Sequence, residues 1–240
     1  MLHVVGLGPG NHDLIAPRVL KVIQEAEVVS GYTVYLDLIK DLIKDKEIIQ
    51  SPMKQEVLRT QLALDAAESG KKTVMVCSGD PGIYGMAGLC YELKEKKQMK
   101  VEINVIPGIS AANSAAAVLG APLIHDFAVI SLSDLLTPLD EIMQRVKSAI
   151  DSGFVIVLYN PTSKKRFGYL QKVIDIALNS QADLACGYVK NIERENQIAK
   201  VMMLSKLDEK DIDMFTTVII GNKNTRIIDN NLVTPRGYNY

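Results

Sequence analysis

Short apolar segments rich in β-branched residues alternate along this chain with longer segments whose apolar residues recur at helical spacing. Alternation of this kind is typical of α/β proteins rather than β-sandwiches or helical bundles. We therefore predict an α/β fold. In the first half of the chain the predicted strands are His3–Leu7, Glu27–Ser30, Thr73–Cys77 and Val101–Ile106.

Three helices are predicted between and after these strands. The first begins near Asn11 or Asp13, because either side chain can cap a helix. The last extends from Ser110 to Leu119, where Gly120, Ala121 and Pro122 break it. Two apolar stripes are expected to face the core: Leu14, Val19, Leu20, Val22 and Ile23 in the first helix, and Val57, Leu58, Leu62 and Ala66 in the second.

The second half of the chain has the same alternation of strand-like and helical segments, but it does not repeat the sequence of the first half. Its predicted helices are Leu139–Ile150 and Tyr169–Leu178, and its strands are Phe127–Leu132, Phe154–Tyr159, Leu184–Val189, Ile198–Met203 and Met214–Ile220. A break near Gly120–Ile124 separates two sets of strands, each large enough for its own sheet. We predict two domains, 1–122 and 123–240, each a mixed sheet flanked by helices, with the active site in the cleft between them.

Composition and charge exclude several classes of protein. The 240 residues are 48% hydrophobic and 23% charged, which is ordinary for a globular chain with a sizeable core. There are 27 Lys and Arg against 28 Asp and Glu, so no global positive field exists to hold nucleic acid or an anionic membrane. No window approaches the roughly 18 consecutive apolar residues of a membrane span.

The cysteines and the first residues indicate a cellular compartment. Cys77, Cys90 and Cys186 are odd in number and far apart, without disulfide or metal-site spacing, so they are expected to be buried thiols in a reducing cytosol. No basic region precedes an apolar stretch at the start, which disfavours secretion. A cytoplasmic location is expected.

Three glycine-containing loops each follow a predicted strand. They are Gly6–Gly10, Ser78–Gly85 and Pro107–Ala112. Glycine lets a backbone approach a ligand closely, and open α/β sheets bind ligands beyond the carboxyl ends of their strands. A tight structural turn explains the first loop equally well, and Asp80-Pro81-Gly82 also suits an ordinary β-turn. The loops are expected to converge on one rim.

A dinucleotide site is the obvious alternative for the first loop. In the GxGxxG fingerprint that begins at Gly6, the third glycine would be residue 11, which is Asn11. Pro9 also removes one N–H from the turn that would hold a pyrophosphate. An NAD-dependent oxidoreductase is therefore disfavoured.

The three loops together resemble the tetrapyrrole methylases, in the order GLGPG (6–10), SGDPGIYG (78–85) and PGISAAN (107–113). Further segments are similar to the precorrin-3B C17-methyltransferases of cobalamin (vitamin B12) biosynthesis, including those of the cobalt-dependent, anaerobic branch. These segments are HDFAVISLSDLLTP (125–138), VLYNP (157–161), TTVIIGN (216–222) and TPRGY (234–238). The resemblance covers essentially the whole chain.

This resemblance implies a two-domain tetrapyrrole methylase fold, usually homodimeric, that transfers a methyl group from S-adenosylmethionine and releases S-adenosylhomocysteine. It implies methylation of carbon 17 of precorrin-3B, or of its cobalt-containing counterpart, with ring contraction. Carried over by position, the cofactor-binding residues are Pro9, at the tetrapyrrole end, and Gly79, Asp80, Ile83, Ser110, Ala111, Asn160 and Thr217.

The catalytic candidates are less definite, because methyl transfer requires mainly alignment while ring contraction requires proton transfers. His125, Ser131 and Asp134 lie in a segment typical of the subgroup, although His125 suits an N-cap or an interdomain hydrogen bond as well. Tyr32 stands where uroporphyrinogen methylases carry an aspartate. It can orient a pyrrole or an acetate group, or simply pack as an aromatic residue.

A polycarboxylate substrate needs local cations rather than a global field. The candidates are Lys164, Lys165, Arg166 and Arg236, which fit a solvated face equally well. His3 and His12 lack partners at metal-ligand spacing, so no protein-bound metal is expected and any cobalt would arrive within the substrate. The remaining alternatives are methylation at another ring carbon or of a diphthamide precursor, and a tetrapyrrole carrier without activity.

Overall fold

Helices connect the strands of the first of two compact units, Met1–Ala111. The structure is a computed structural model that describes residues 1–163, 166–180 and 182–239. The elements of this unit, with short 3₁₀ helices at His12–Leu14 and Lys40–Leu42, are β1 (Leu2–Gly6), α1 (Pro17–Glu25), β2 (Val28–Tyr32), α2 (Thr33–Leu38), β3 (Glu47–Ser51), α3 (Glu56–Glu68), β4 (Thr73–Cys77), α4 (Ala87–Lys96) and β5 (Ile103–Ile106).

These five strands form one sheet in the order β3-β2-β4-β1-β5, and every pairing is parallel. Each connection is a crossover that carries a helix, so neighbouring strands run in the same direction. Alternate residues of β4 enter two apolar cores: Val74 and Val76 belong to one, Met75 and Cys77 to the other. Burial on both faces explains why the strand is apolar throughout.

The second unit, Ala112–Tyr240, contains a five-stranded mixed sheet and a small three-stranded one. Its elements, with 3₁₀ helices at Leu204–Lys206 and Glu209–Asp211, are α5 (Ala111–Leu119), β6 (Gly120–Ala121), β7 (Phe127–Ser131), α6 (Leu139–Asp151), β8 (Val155–Tyr159), α7 (Tyr169–Ser180), β9 (Ala185–Lys190), β10 (Ile198–Met203), β11 (Thr216–Ile220), β12 (Arg226–Ile228) and β13 (Asn231–Val233).

The larger sheet of this unit has the order β10-β9-β11-β8-β7, in which only the β7–β8 pairing is parallel among the described strands. One apolar core includes Ile142 and Val146 of α6 together with Leu170 and Val173 of α7. The predicted α/β fold with helices flanking the sheets is therefore confirmed. The prediction of a mixed sheet in each domain is correct for the second unit and wrong for the first, whose sheet is wholly parallel.

The division between the units falls at the start of α5, earlier than the boundary expected near Gly120–Ile124. Helix α5 leads directly into β6, which pairs in parallel with β13 near the end of the chain. This pairing gives α5 a place in the second unit.

The start of the first helix was predicted wrongly. Asn11 caps the 3₁₀ helix His12–Leu14, where its Oδ1 accepts a hydrogen bond from Asp13 N at 3.1 Å. The α-helix then begins at Pro17, preceded by Ala16 with ψ of 137°. Proline suits the first helical position and disfavours helical backbone in the residue before it, so α1 cannot extend back to Asn11.

The apolar stripe predicted for the second helix also faces the wrong way. Val57, Leu58 and Leu62 of α3 are exposed, by 57%, 52% and 44%. The buried side of α3 consists instead of residues spaced by helical turns, Arg59, Thr60, Ala63, Leu64 and Ala67. Counting apolar residues misidentified this side, because two of its members are polar and two are small.

Four short strands were missed. β3 is an edge strand with the mixed sequence EIIQS, and most of its residues are exposed or half-buried. β6, β12 and β13 are two or three residues long. Such segments carry too few alternating positions for a period-two pattern to be recognised.

Candidate functional site

The strand order of the first sheet brings the three glycine loops together. β4, β1 and β5 are neighbours and parallel, so the loops that follow them emerge at the same edge. The chain leaves β1 towards β2 on one side and leaves β4 towards β5 on the other. Such a reversal of strand order is where open α/β sheets bind ligands.

The backbones of the three loops touch one another. Gly8 N donates to Gly79 O at 3.2 Å, and Gly79 N donates to Gly8 O at 2.7 Å. A Cβ added to Gly108 would lie 2.2 Å from Gly79 O and 2.7 Å from the carbonyl carbon of Gly6. Gly6 and Gly108 are therefore required for the loops to pack on each other, whereas Gly79 is favoured by its left-handed φ of 64°.

Asp80 fastens two of the loops with its carboxylate. Its Oδ1 accepts a hydrogen bond from Gly82 N at 2.8 Å, and its Oδ2 accepts one from Gly108 N at 3.1 Å. A carboxylate has about four acceptor positions, so capacity remains for a further donor. The half-buried Asp80 thus shapes the 78–85 loop and ties it to the loop after β5.

The same loop presents apolar side chains outward. Ile83 is 37% exposed and Tyr84 is 58% exposed. Tyr84 has φ of 53°, a left-handed conformation that is uncommon for an aromatic residue and costs energy. Pro9 in the first loop and Ser110 in the third are buried.

In the second unit, side chains rather than glycines connect the loops. Asn160, which follows β8 with φ of 51°, donates through Nδ2 to Ser131 Oγ at 3.0 Å. Ser133 N donates to the same oxygen at 3.2 Å. Two donors on one oxygen orient the Ser131 hydroxyl at the carboxyl end of β7.

Thr217 and Tyr159 lie at that same edge of the second sheet. Because Val218 of β11 pairs with Leu158 of β8 in antiparallel register, Thr217 is next to Tyr159. Thr217 is buried, and Ala112 N donates to Tyr159 Oη at 2.9 Å. The structure therefore groups three predicted site residues here: Ser131, Asn160 and Thr217.

His125 and Asp134 are both exposed. His125 Nδ1 accepts a hydrogen bond from Asp126 N at 2.9 Å, and strand β7 rather than a helix follows, so His125 is not a helix N-cap. Asp134 accepts a hydrogen bond from Tyr169 Oη at 2.8 Å, and this bond raises the pKa of the Tyr169 phenol. Asp134 thus connects the segment after β7 to the start of α7.

Tyr32 ends β2 and is half-buried. Its ring packs edge-to-face on Tyr35, with centroids 5.1 Å apart and an interplanar angle of 88°. This arrangement favours the packed-aromatic interpretation of Tyr32.

The three cysteine thiols are buried and unbridged, as predicted. Burial raises the pKa of Cys77 to about 11 and those of Cys90 and Cys186 to about 12, so all three are neutral at physiological pH. Across residues 1–163, 166–180 and 182–239, no three His, Cys, Asp or Glu side chains are grouped as a metal site. No helix in these ranges is long and apolar enough to cross a membrane.

Comparison with known proteins gives consistent results along the chain. A family model of the tetrapyrrole (corrin/porphyrin) methylases matches residues 1–208. A probable cobalt-factor III C(17)-methyltransferase of Salmonella typhimurium is 42% identical over 239 residues, 99% of each chain. The chain belongs to the tetrapyrrole methylases.

Two further relatives of this tetrapyrrole methylase agree. A precorrin-3B C(17)-methyltransferase of Sinorhizobium sp is 37% identical over 246 positions, covering 99% of this chain and 96% of the relative. The crystal structure of the methyltransferase CobJ matches with a TM-score of 0.93 and 33% identity, over 98% of this chain and 99% of that one. The two-domain fold inferred from the resemblance is confirmed.

Sequence reasoning overlooked two side chains of this tetrapyrrole methylase. Arg59 is buried on α3 and is only 4% exposed. Tyr159 was assigned only to a strand, yet its hydroxyl accepts the Ala112 N–H. Tyr159 could have been found from its position at the end of a predicted apolar strand. No signal in the sequence pointed to Arg59.

The four cations expected to bind a polycarboxylate differ in what the structure shows of them. Lys164 and Lys165 lie outside the described residues. Arg166 donates from Nε to Ser163 Oγ at 3.1 Å, while its Nη1 is buried without a hydrogen-bond partner in the part of the chain described. Arg236 is exposed, and its Nη1 lies 3.5 Å from Ile124 O.

Proposed function

We propose that this tetrapyrrole methylase transfers a methyl group from S-adenosylmethionine to carbon 17 of precorrin-3B, or of its cobalt-containing counterpart, with ring contraction, in cobalamin biosynthesis. The observation that carries the proposal is the near-complete match to relatives named as C(17)-methyltransferases of both kinds. The convergent loops at the carboxyl edge of the first sheet support it with a place for a ligand.

Tetrapyrrole methylases use S-adenosylmethionine, and the residues at this edge fit such a molecule. Asp80 retains acceptor capacity for the cofactor's ammonium group, and the exposed Ile83 offers apolar contact. A Cβ on Gly79 would lie 3.5 Å from Ala111 N, so the Gly79 and Ala111 backbones are adjacent. We assign cofactor binding to Pro9, Gly79, Asp80, Ile83, Ser110, Ala111, Asn160 and Thr217.

The cofactor supplies an activated methyl group, so the protein must mainly align the acceptor carbon and exclude water. For the proton transfers of ring contraction we propose Ser131 first, because Asn160 and Ser133 orient its hydroxyl. His125 and Asp134 remain secondary candidates because both are exposed.

Incubation with isotopically labelled S-adenosylmethionine tests the activity. We expect label to enter precorrin-3B or cobalt-factor III, and mass mapping to place it at carbon 17. Absence of methyl incorporation into either substrate would contradict the proposal, and label at another carbon would favour the alternative ring position. The ratio of the methylation rates for the cobalt-containing and the cobalt-free substrate indicates the branch of cobalamin biosynthesis in which the protein acts.

Asp80→Ala tests the cofactor assignment. Removing the carboxylate frees Gly82 N and Gly108 N and takes away the counter-charge for the ammonium group, so we expect about tenfold weaker binding of S-adenosylhomocysteine by calorimetry. Asp80→Asn keeps an acceptor oxygen without the charge and should lie between. Asp37→Ala, at an exposed position of α2, is the control; unchanged affinity in Asp80→Ala would refute the assignment.

A homodimer is also proposed, supported by the apolar surface of the first unit. Val57, Leu58 and Leu62 of α3 and Tyr91 of α4 are exposed, and these two helices pack against each other. An exposed cluster of this kind is typical of an association surface. Light scattering should give twice the monomer mass for the native protein and the monomer mass for Leu58→Asp. We further expect a cytoplasmic location, since the three thiols are free.

A further inference from the structure

Arg59 is a buried cation with neutral partners. It lies in the first turns of α3 and is only 4% exposed. Its Nη1 donates to Ser51 Oγ at 2.5 Å and to Ser51 O at 3.4 Å, and its Nη2 lies 3.9 Å from Met86 Sδ. Arginine is almost never buried this deeply without an anion beside it.

The expected counter-ion is missing from this part of the protein. Arg59 Nε has no hydrogen-bond partner, and no carboxylate forms an ion pair with the guanidinium, among the residues that the structure describes. The nearby Cys77 cannot replace one, because burial raises the pKa of its thiol to about 11. A buried charge without a counter-charge is strongly destabilising.

Two neighbouring hydroxyl groups share this unsatisfied state. Ser30 Oγ on β2 and Thr60 Oγ1 on α3 are buried without a hydrogen-bond partner in the described chain. The two elements pack against each other. Water can satisfy a neutral hydroxyl, but it does not neutralise a charge, so the guanidinium requires a separate explanation.

The position of Arg59 supplies that explanation. Ser51 is the last residue of β3, and Met86 directly follows the 78–85 loop. The guanidinium therefore lies under the carboxyl edge of the parallel sheet, next to the loops assigned to the cofactor. The long contact with the Met86 thioether is weak, and the flexible, half-buried Met86 can be displaced at little cost.

We propose that Arg59 binds a carboxylate of the ligand held at this edge. The carboxylate belongs either to the amino-acid part of the cofactor or to an acidic side chain of the tetrapyrrole. Nε–H and an Nη–H form one edge of the guanidinium fork, which pairs bidentately with a carboxylate. The proposal rests on the proposed function for the identity of these two ligands.

The central experiment replaces Arg59 by Met, which has similar length and no charge. If Arg59 binds a ligand carboxylate, its charge is uncompensated in the ligand-free protein. Removing that charge should then raise the midpoint of thermal unfolding of the ligand-free protein by about 2 °C or more, and the variant should bind the ligand more weakly. If Arg59 is only a structural tie, the midpoint should fall and the affinity of the folded protein should not change. Arg18→Met, at an exposed position of α1, is the matched control and should change neither.

Calorimetry with three probes identifies the source of the carboxylate. S-adenosylhomocysteine and an analogue without its α-carboxylate form one arm, and uroporphyrin III, a macrocycle with several carboxylates, forms the other. If Arg59→Met binds S-adenosylhomocysteine roughly 30-fold or more weakly than the native protein but binds the analogue equally well, Arg59 binds the carboxylate of the cofactor. The same loss for uroporphyrin III alone assigns the tetrapyrrole. Arg59→Lys keeps the charge but not the fork and should recover part of the loss.

The proposal is overturned if Arg59→Met binds S-adenosylhomocysteine and uroporphyrin III as the native protein does, or if the native protein binds neither. The proposed function fails separately: native protein that binds these ligands but transfers no methyl group would contradict the activity while leaving the binding role of Arg59 intact.

Discussion

The carboxyl edges of the two five-stranded sheets are built by different means. In the first unit, Gly6, Gly79 and Gly108 bring three backbones into direct contact, and no room remains for a Cβ at Gly6 or Gly108. In the second unit, hydrogen bonds between side chains hold the loops, as between Asn160 and Ser131. The first edge thus depends on the absence of side chains, and the second depends on their chemistry.

The difference follows from the two topologies. A parallel sheet with helical crossovers sends every loop of neighbouring strands to one edge, where the loops crowd each other. In the second sheet only β7 and β8 are parallel among the described strands, so two loops rather than three meet at the edge where Ser131 and Asn160 lie. Crowded loops select glycine, whereas spaced loops must be bridged by polar side chains.

The largest effect is expected for Gly108→Ala. The added Cβ would meet backbone atoms of both other loops, which cannot move as a flexible side chain can, so we expect a loss of about 3 kcal/mol in the free energy of unfolding. Urea denaturation followed by circular dichroism measures it.

Gly88→Ala is the matched control. Gly88 lies within α4, and a Cβ there meets nothing within 4 Å. Alanine favours a helix over glycine, so this variant should gain about 0.5–1 kcal/mol. If Gly108→Ala and Gly88→Ala have the same stability, the first edge is not held by backbone contact.

A smaller effect is expected for Thr225→Val in the second unit. The buried Thr225 Oγ1 accepts from Asn222 N at 2.9 Å and shares a hydrogen bond with Thr234 Oγ1 at 2.8 Å. An isosteric valine leaves both groups unsatisfied, at a cost of about 2 kcal/mol in the same urea measurement. Thr225→Ser keeps the oxygen and should retain most of the stability. Equal losses in the two variants would mean that packing, not hydrogen bonding, holds this region.

The smallest effect is expected for Asp213→Asn, near the start of β11. Partial burial acts to raise the pKa of the Asp213 carboxyl, but hydrogen bonds from Lys190, Phe215 N and Thr216 outweigh it, and the pKa lies below its ordinary value. Ionised Asp213 therefore stabilises the fold above its unfolded pKa of about 3.9, and this contribution is lost as the pH falls through the lower folded pKa.

The Asp213→Asn variant should thus lose less than about 1 kcal/mol at neutral pH, because the side chain is only partly buried and solvent weakens its ion pair with Lys190. The difference from the native protein should shrink below about pH 4. Asp45→Asn, at an exposed position of the first unit, should lose less than Asp213→Asn at neutral pH. A difference that grows on acidification would contradict the assigned sign.

Sequence reasoning succeeded where a residue's neighbours along the chain decide its environment. The strands at Thr73–Cys77 and Ile198–Met203 were predicted with exact bounds, because an apolar or alternating run with clear ends is a local signal. It failed for α3, where the side that packs on the sheet contains Arg59 and Thr60. Which side of a helix is buried depends on its neighbours in space.

For the candidate site, the chain alone specified the three loops, their glycines and their family. Because these loops are far apart along the chain, the contacts between them could not be predicted from the sequence. In the folded protein Gly108 packs on Gly79, and Asp80 accepts a hydrogen bond from the next loop. Strand order determines such contacts, and strand order results from the crossovers of the whole sheet. A local pattern can therefore predict a glycine loop, but only the fold shows that Arg59 lies beneath it with its Nε unpaired among the residues that the structure describes.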